Sequence, residues 1–316
     1  MTAMHHAQVI DLARSRPWGR QAWARGLLER LPQQLAGAVQ RWDLTIEDAY
    51  PDGAGLPVLA VRTGDLPAVL TFDGVGRDQA QQARILGAAD GHGFVRLLDH
   101  APELEAALLE RLGTPLAHEV GDPVAQTDQL CALLEQAWQL PLEVGVATAP
   151  DHKALGLLGI VEAGLADPPT ADAHGAVLPR AAGIAQELAL SPQAQQVVVH
   201  GDPHTLNALR RPDGRAGSEQ FAFIDPDGFR CEREYDAGVV LRDLAGPLTH
   251  LERTEGVGAG RRWHAELVAR VARRLDLDAD RVAAWAFLER VTTGVHLGRL
   301  GYTEESRSWL ALAHRM

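Results

Sequence analysis

The chain has 316 residues, 46% of them hydrophobic, and a formal net charge of −12. That length suits one large or two modest domains, and the apolar fraction is ample for a packed core. The acidity argues against nucleic acid, whose phosphates need clustered Lys and Arg, and suits a cationic small molecule drawn into an acidic cleft. Cys131 and Cys231 lie far apart and neither sits in a CxxC pattern, so neither a disulfide framework nor a zinc site is expected. The N-terminus lacks a basic run followed by an apolar stretch, and no segment has the length of a membrane span. A soluble cytoplasmic protein without a membrane partner is expected; oligomeric state is not encoded in any pattern found. The basic residues include one lysine, Lys153.

In chain order, residues 18–40 carry helical periodicity, with Trp23, Leu27, Leu28, Leu31 and Leu35 on one face. Residues 58–61 and 68–72 are short apolar runs joined by Thr63-Gly64-Asp65, which predicts a hairpin. A further turn, 51–55, precedes the first run. A helix is expected over 78–89, and strands over 94–98 and 106–109. After Gly113 the character becomes helical, with helices expected over 129–140, 154–166, 180–190, 264–275 and 281–300. One β-like island, 196–200 and 221–225, reads as a buried hairpin within this helical part.

Two loops stand out. Residues 197–211 read VVVHGDPHTLNALRR and residues 221–229 read FAFIDPDGF. Each is an apolar run ending in a carboxylate beside a turn former, which would put Asp202 and Asp225 at the rim of one cleft. Phosphoryl transfer from ATP needs a magnesium ion on the phosphates and a carboxylate that orients the acceptor hydroxyl. Magnesium takes hard oxygen ligands, usually one or two from the protein. Asp202 suits the hydroxyl-orienting task, and Asn207 and Asp225 suit Mg2+.

His200-Gly201-Asp202-Pro203-His204-Thr205-Leu206-Asn207 resembles the HGDxHxxN catalytic loop of the aminoglycoside phosphotransferase family, and Ile224-Asp225-Pro226-Asp227-Gly228 is similar to its metal-binding IDxxG. The proline after Asp225 is similar to IDPKG in the streptomycin 6-kinase and hydroxyurea phosphotransferase branch. Weaker matches follow in the family's order. Residues 41–44 resemble RWxL, and residues 91–98 resemble GxGAVRLL. Residues 107–112 resemble LLLERL, the adenine-contacting hinge. Glu234-Tyr235-Asp236 with Leu241-Arg242 resembles YDxAxxLR. The resemblance implies an α+β, two-lobed, protein-kinase-like fold, with a mostly β N-lobe over 1–111 and a helical C-lobe over 112–316. It implies an ATP- and Mg2+-dependent kinase of a small hydroxylated acceptor: streptomycin, hydroxyurea or another metabolite. Nucleotide would lie beneath Gly53 and Gly55, beside the position of Thr71 and the hinge residues Glu110 and Leu112, with Glu110 contributing mainly its backbone.

The family's N-lobe lysine, which pairs the α- and β-phosphates, falls on Thr71, and its helix glutamate falls on Gln82. Arg62 on the preceding strand is the nearby cation. Two readings stay open: a kinase of altered or weak activity, or a protein that binds nucleotide or ligand without turnover. A third takes Asp225-Pro226-Asp227 as the metal-binding DxD of a hydrolase or glycosyltransferase. Plainer roles stand beside these. Asp202 and Asn207 also suit loop bracing. His200, Asp202 and His204 alternate as zinc ligands would, although His200 reads better as a structural brace. Asp227, where the branch has lysine, suits a solvated turn, and Asp236 suits a helix N-cap. Gly53 and Gly55 suit a lid or an ordinary turn equally. Glu232, Glu234, Asp236 and Asp243 attract a cation or form a solvated helix start.

Overall fold

The computed structural model describes all residues except 1–4, 51–55, 73, 75–78, 149–151, 168–169, 171–173, 192–194, 213 and 215–216. Five strands form one antiparallel sheet: β1 (Leu44–Ala49), β2 (Leu59–Thr63), β3 (Leu66–Phe72), β4 (Leu97–Ala101) and β5 (Ala106–Glu110), ordered β1-β2-β3-β5-β4. The β2–β3 hairpin is the one expected. Thr63 pairs with Leu66 across Gly64-Asp65, and the Gly64 φ of 55° is the left-handed value such two-residue turns demand. Alternate residues Leu59, Val61, Ala68, Leu70, Phe72, Ala106 and Leu108 share one buried face. Helices α1 (His6–Ser15) and α2 (Arg25–Trp42) close over it, with Leu31, Leu35 and Ala38 buried as the periodicity requires. Because α2 begins at Arg25, Trp23 falls in a preceding 3-10 turn.

Ala107 and Leu109 belong to a second, larger core together with Ile85, Leu86 and Ala89 of α3 (Gln79–Ala89). Helix α3 thus packs toward the other lobe. The strand expected at 94–98 begins only at Leu97. Phe94 instead pairs in parallel with Phe223, from the helical lobe. There the Val95 N–H donates to the Phe223 carbonyl (2.8 Å), and the Phe223 N–H donates to the Gly93 carbonyl (2.9 Å).

The rest of the chain forms α4 (Leu116–Glu119), α5 (Pro123–Ala137), α6 (Lys153–Leu165), α7 (Val177–Leu190), α8 (Arg233–Val240), α9 (Ala245–Glu255), α10 (Ala259–Leu275), α11 (Ala279–Leu300) and α12 (Thr303–Ala313). Helix α5 starts six residues earlier than the periodicity suggested, because Asp122 caps it by accepting from the Val124 and Ala125 N–H groups, and Pro123 fits the first turn. Helix α11 is buried around most of its circumference, at Val282, Trp285, Leu288, Val291 and Val295 among others, as a central helix must be. Among the described residues no helix is long and apolar enough to cross a membrane.

The expected buried hairpin is overturned. Strand β6 (Gln196–Val198) pairs with β9 (Arg230–Glu232), and β7 (Ala208–Arg210) pairs with β8 (Phe221–Phe223). The two apolar runs are therefore neighbours in space but partners of other strands. Strands of three residues are too short to show a period, which is why β7 and β9 left no signal.

His264 on α10 gives one test of this packing. Burial, then the Arg290 charge, lowers its imidazole to about 4, while an unfolded histidine titrates near 6.5. Below 6.5 the unfolded chain takes up the proton first, so stability falls as pH drops toward 4. By pH 5 the expected loss is about 2 kcal/mol relative to pH 7. Denaturant unfolding of the wild type and His264→Gln at both pH values isolates this share. Equal pH dependence in the two proteins would refute it. The variant comparison is needed because Asp236, raised to about 6 by burial, works in the opposite sense.

Candidate active site

The loop after β6 is fixed from inside the protein. His200 is fully buried, tilted on Phe223 with ring centroids 4.6 Å apart and parallel to Phe94 at 5.9 Å. Its Nε2 meets the Ile224 carbonyl (2.9 Å) and its Nδ1 accepts the Asp202 N–H (3.1 Å). Burial lowers its imidazole to about 4, so it is the neutral tautomer that these two bonds require. A ring with both nitrogens engaged is a brace and no metal ligand. Among the described residues no group of three or more His, Cys, Asp or Glu could hold a metal ion.

Asp236 corrects an expectation. It is not an N-cap: α8 starts at Arg233, and Asp236 lies inside it with no exposed surface. Its carboxylate accepts the His200 N–H (2.8 Å), the Gly201 N–H (3.0 Å) and the Trp138 indole N–H (2.9 Å). Glu232 and Glu234 are buried as well, so this acidic run is no solvated helix start. Glu232 instead accepts from Arg281 (2.6 Å) and Trp285 (2.5 Å) of α11. Gly201 has φ 98°, and a Cβ there would lie 2.5 Å from the Asp227 side chain, so the loop needs glycine on both counts.

This scaffold aims Asp202 outward. Arg242 donates to its Oδ1 (2.7 Å), and His204 Nε2 lies 3.3 Å from its Oδ2. Burial would raise the carboxyl, but the charges and bonds of Arg242 and His204 outweigh it and hold Asp202 well below the usual carboxylate range. His204 moves the other way: burial opposes its charge, yet Asp202 and then Asp243 raise its imidazole. Arg242 also binds Asp243 (2.6 Å) and lies 3.7 Å from Glu289. Behind it, buried Arg290 donates to the Arg242 and Leu241 carbonyls (3.1 and 2.8 Å). A carboxylate so firmly ionised is a weak proton acceptor but a strong hydrogen-bond acceptor, able to orient a hydroxyl.

Asn207 and Asp225 are brought together. The Ile224 N–H donates to the Asn207 carbonyl (2.9 Å), and the Asn207 amide nitrogen donates to the Asp202 carbonyl (3.0 Å), leaving its hard Oδ1 to meet a cation. Asp225 adopts φ 60°, the left-handed region that aspartate tolerates at tight turns. One amide oxygen and one carboxylate fit Mg2+, which completes its shell with phosphate and water. Asp227 is exposed, yet protein crowds one side of it, where a Cβ on Gly201 would lie 2.5 Å away. Desolvation by the walls raises its carboxyl to about 7; Lys153 acts against this, and Asp202, Asp225 and Glu289 add to it. Lys153 itself sits over the Phe229 and Tyr235 rings, at 4.6 and 5.3 Å.

On the sheet side, Gly53 and Gly55 lie outside the described residues. Thr71 is buried on β3 opposite Ala107, and its hydroxyl accepts from Gln79 (3.2 Å). Gln82 does not meet Thr71; its amide reaches Asp225 Oδ1 at 2.5 Å. Arg62, the nearby cation, places its guanidinium on Glu47 (2.8 Å) and the Asp65 carbonyl (3.0 Å). The Glu110 N–H is committed to the Arg96 carbonyl (3.0 Å), and its side chain accepts from the Arg96 N–H and from Arg211. Leu112 is buried in the larger core. The inward roles of Gln81, Gln82, Trp138 and Glu289 escaped the sequence reading. Three glutamines in the apolar stretch of α3 were the one available signal.

A family model described as "Aminoglycoside/hydroxyurea antibiotic resistance kinase" matches residues 41–301. A streptomycin 6-kinase of Streptomyces griseus is 29% identical over 327 residues, spanning 100% of this chain and 99% of that protein. A streptomycin 6-kinase of Streptomyces glaucescens is 29% identical across 84% of this chain and 81% of its own length. Among solved structures, a thermostable mutant of aminoglycoside phosphotransferase APH(4)-Ia, in ternary complex with ADP and hygromycin B, aligns over 89% of this chain and 97% of its own. Its TM-score is 0.56 at 12% identity. A Plasmodium vivax ethanolamine kinase aligns over 89% and 84%, with TM-score 0.56 at 11% identity. These likenesses give the fold, a two-lobed protein-kinase-like α+β architecture. With the family model spanning most of its length, the chain belongs to the aminoglycoside/hydroxyurea antibiotic resistance kinases.

Proposed function

We propose that the protein is an ATP- and Mg2+-dependent phosphotransferase acting on a hydroxyl of a cationic small molecule, an aminoglycoside such as streptomycin being the first candidate, and so a cytoplasmic resistance activity. The observation that carries this reading is the joining of the Asp202–Asn207 loop to the Asp225 turn by one backbone bond of 2.9 Å. In this reading Asp202 accepts the acceptor hydroxyl's hydrogen bond and aligns its oxygen, while Asn207 and Asp225 would hold Mg2+. The ion, when bound, supplies charge neutralisation at the phosphates. Arg242 and His204 keep Asp202 ionised and in place. Nucleotide would lie between an N-lobe of residues 1–111 and a C-lobe of 112–316, under Gly53 and Gly55, past Thr71, against Glu110 and Leu112.

The cationic acceptor rests on charge. Among the described residues, Asp202, Asp227, Asp243, Glu289 and Asp225 gather here around Arg242, Lys153 and His204, with Arg290 behind them. An acidic cleft with low-dielectric walls concentrates cations. A second reading, binding without turnover, is favoured by Thr71 and Gln82, which offer no charge to the α- and β-phosphates. The test is ATP consumption against a panel of aminoglycosides and small polyols, with Thr71→Lys alongside and a thermal shift with ATP and Mg2+. Turnover with at least one cationic acceptor is expected. A nucleotide-induced shift with no turnover anywhere in the panel would favour the second reading, and neither signal would remove both.

A further inference from the structure

Helix α3 carries three buried glutamines, and each is committed to a specific partner. Gln79 donates to the Thr71 hydroxyl (3.2 Å). Gln81 donates to the carbonyls of Gly228 (2.7 Å) and Val144 (3.2 Å). Gln82 donates to Asp225 Oδ1 (2.5 Å). Successive amides of one N-lobe helix therefore hold both ends of the 225–228 turn in the C-lobe: the Asp225 side chain at its start and the Gly228 carbonyl at its end. Packing enforces the approach. Gly228 has φ 66°, and a Cβ there would lie 2.3 Å from Ile85, so only glycine lets α3 come this close.

Burying amides is costly unless each finds a partner, so three on one helix in this arrangement need a reason. A helix that only packed against the turn would be served by Leu or Met. We infer that Gln82 is a positioning residue for Asp225: its amide fixes the rotation of the carboxylate over a left-handed backbone and so sets how it meets the divalent cation. This rests on the reading of Asp225 as a cation ligand. A carboxylate offers about four lone-pair sites, so accepting an amide N–H does not exclude a metal. The neutral amide suits the task where a glutamate would not, since a second carboxylate at this distance would repel Asp225. It also ties the metal site to the N-lobe through a neutral side chain. Outer-shell partners of this kind typically set metal affinity by about 10- to 100-fold.

The test is Mn2+ binding by the full-length protein with AMP-PNP, read from the free Mn2+ signal in electron paramagnetic resonance. The variants are Gln82→Met, which keeps bulk and loses the donor, and Gln82→Asn, which keeps the amide but falls one methylene short. Both are expected to weaken Mn2+ binding about tenfold. In kinetic runs they should raise the KM for Mg2+ by a similar factor, with kcat recovering at saturating Mg2+. Mn2+ binding in both variants within about twofold of wild type, or tighter, would overturn the inference; tighter binding would mean that Gln82 is a latch the metal must displace. Should Gln82→Met not fold, Gln82→Asn decides alone. Asp225→Ala separates this from the underlying reading. If it binds Mn2+ as wild type does, Asp225 is no ligand and both fall. If it loses binding while the Gln82 variants do not, only the positioning role falls.

Discussion

Asp202→Asn is expected to lower kcat for phosphoryl transfer by about 10²- to 10⁴-fold, while the stabilisation of the protein by ATP and Mg2+ stays nearly unchanged. The substitution keeps the shape of the side chain and removes its charge. The acceptor hydroxyl would then lose a strong hydrogen-bond acceptor and meet an amide with two possible orientations. Arg242 would keep Asp243 at 2.6 Å and Glu289 at 3.7 Å, so the arginine is not left bare and the loop should hold. Asn207, on the far side of the loop, binds the Asp202 backbone carbonyl and not its side chain, so the proposed metal site is spared. Steady-state kinetics with the best acceptor of the panel, beside a nucleotide thermal shift, separate the two effects. A variant turning over within about threefold of wild type would remove Asp202 from the mechanism.

Asp236→Ala should be worse for stability than for chemistry. It strands three buried donors, the His200 and Gly201 N–H groups and the Trp138 indole. Each buried donor left unmade costs about 1–3 kcal/mol. The sum is a large part of the 5–15 kcal/mol that holds a typical domain together. At about 2–4 °C per kcal/mol for a chain of this size class, melting should fall by roughly 10 °C or more. Calorimetry of Asp236→Ala and Asp236→Asn is the check. The asparagine variant keeps one oxygen but turns an NH2 toward a donor, so an intermediate loss is expected. A melting temperature unchanged in the alanine variant would show that the loop is held by His200 alone.

What the sequence made legible follows from how local each signal was. Gly64-Asp65 between two apolar runs specified its hairpin, because a two-residue turn leaves the register no freedom. The sequence 200–207 specified its loop, because the Asp202 N–H answers to His200 and the Asn207 amide to the Asp202 carbonyl, each a few residues away. The 196–200 and 221–225 runs misled, since pairing between distant three-residue strands is decided by packing and not by their own pattern. Asp236 was misread for a related reason. An aspartate near a helix start is usually a cap, and only the tertiary approach of β6 and Trp138 makes it the anchor of another loop. Gln82 was read as an absence, one half of a lost ion pair. Its positive role depends on Asp225, a partner distant in sequence.

The parallel bridge between Phe94 and Phe223 has a counterpart nearby. Arg211, from just beyond β7, buries its guanidinium against the carbonyls of Gly91 (2.5 Å) and Phe94 (3.0 Å) and against Glu110 (3.2 Å). Main chain and side chain together make a spine that ties the strand-rich and helical halves to each other along this edge. Neither half, cut loose, would keep its interior dry.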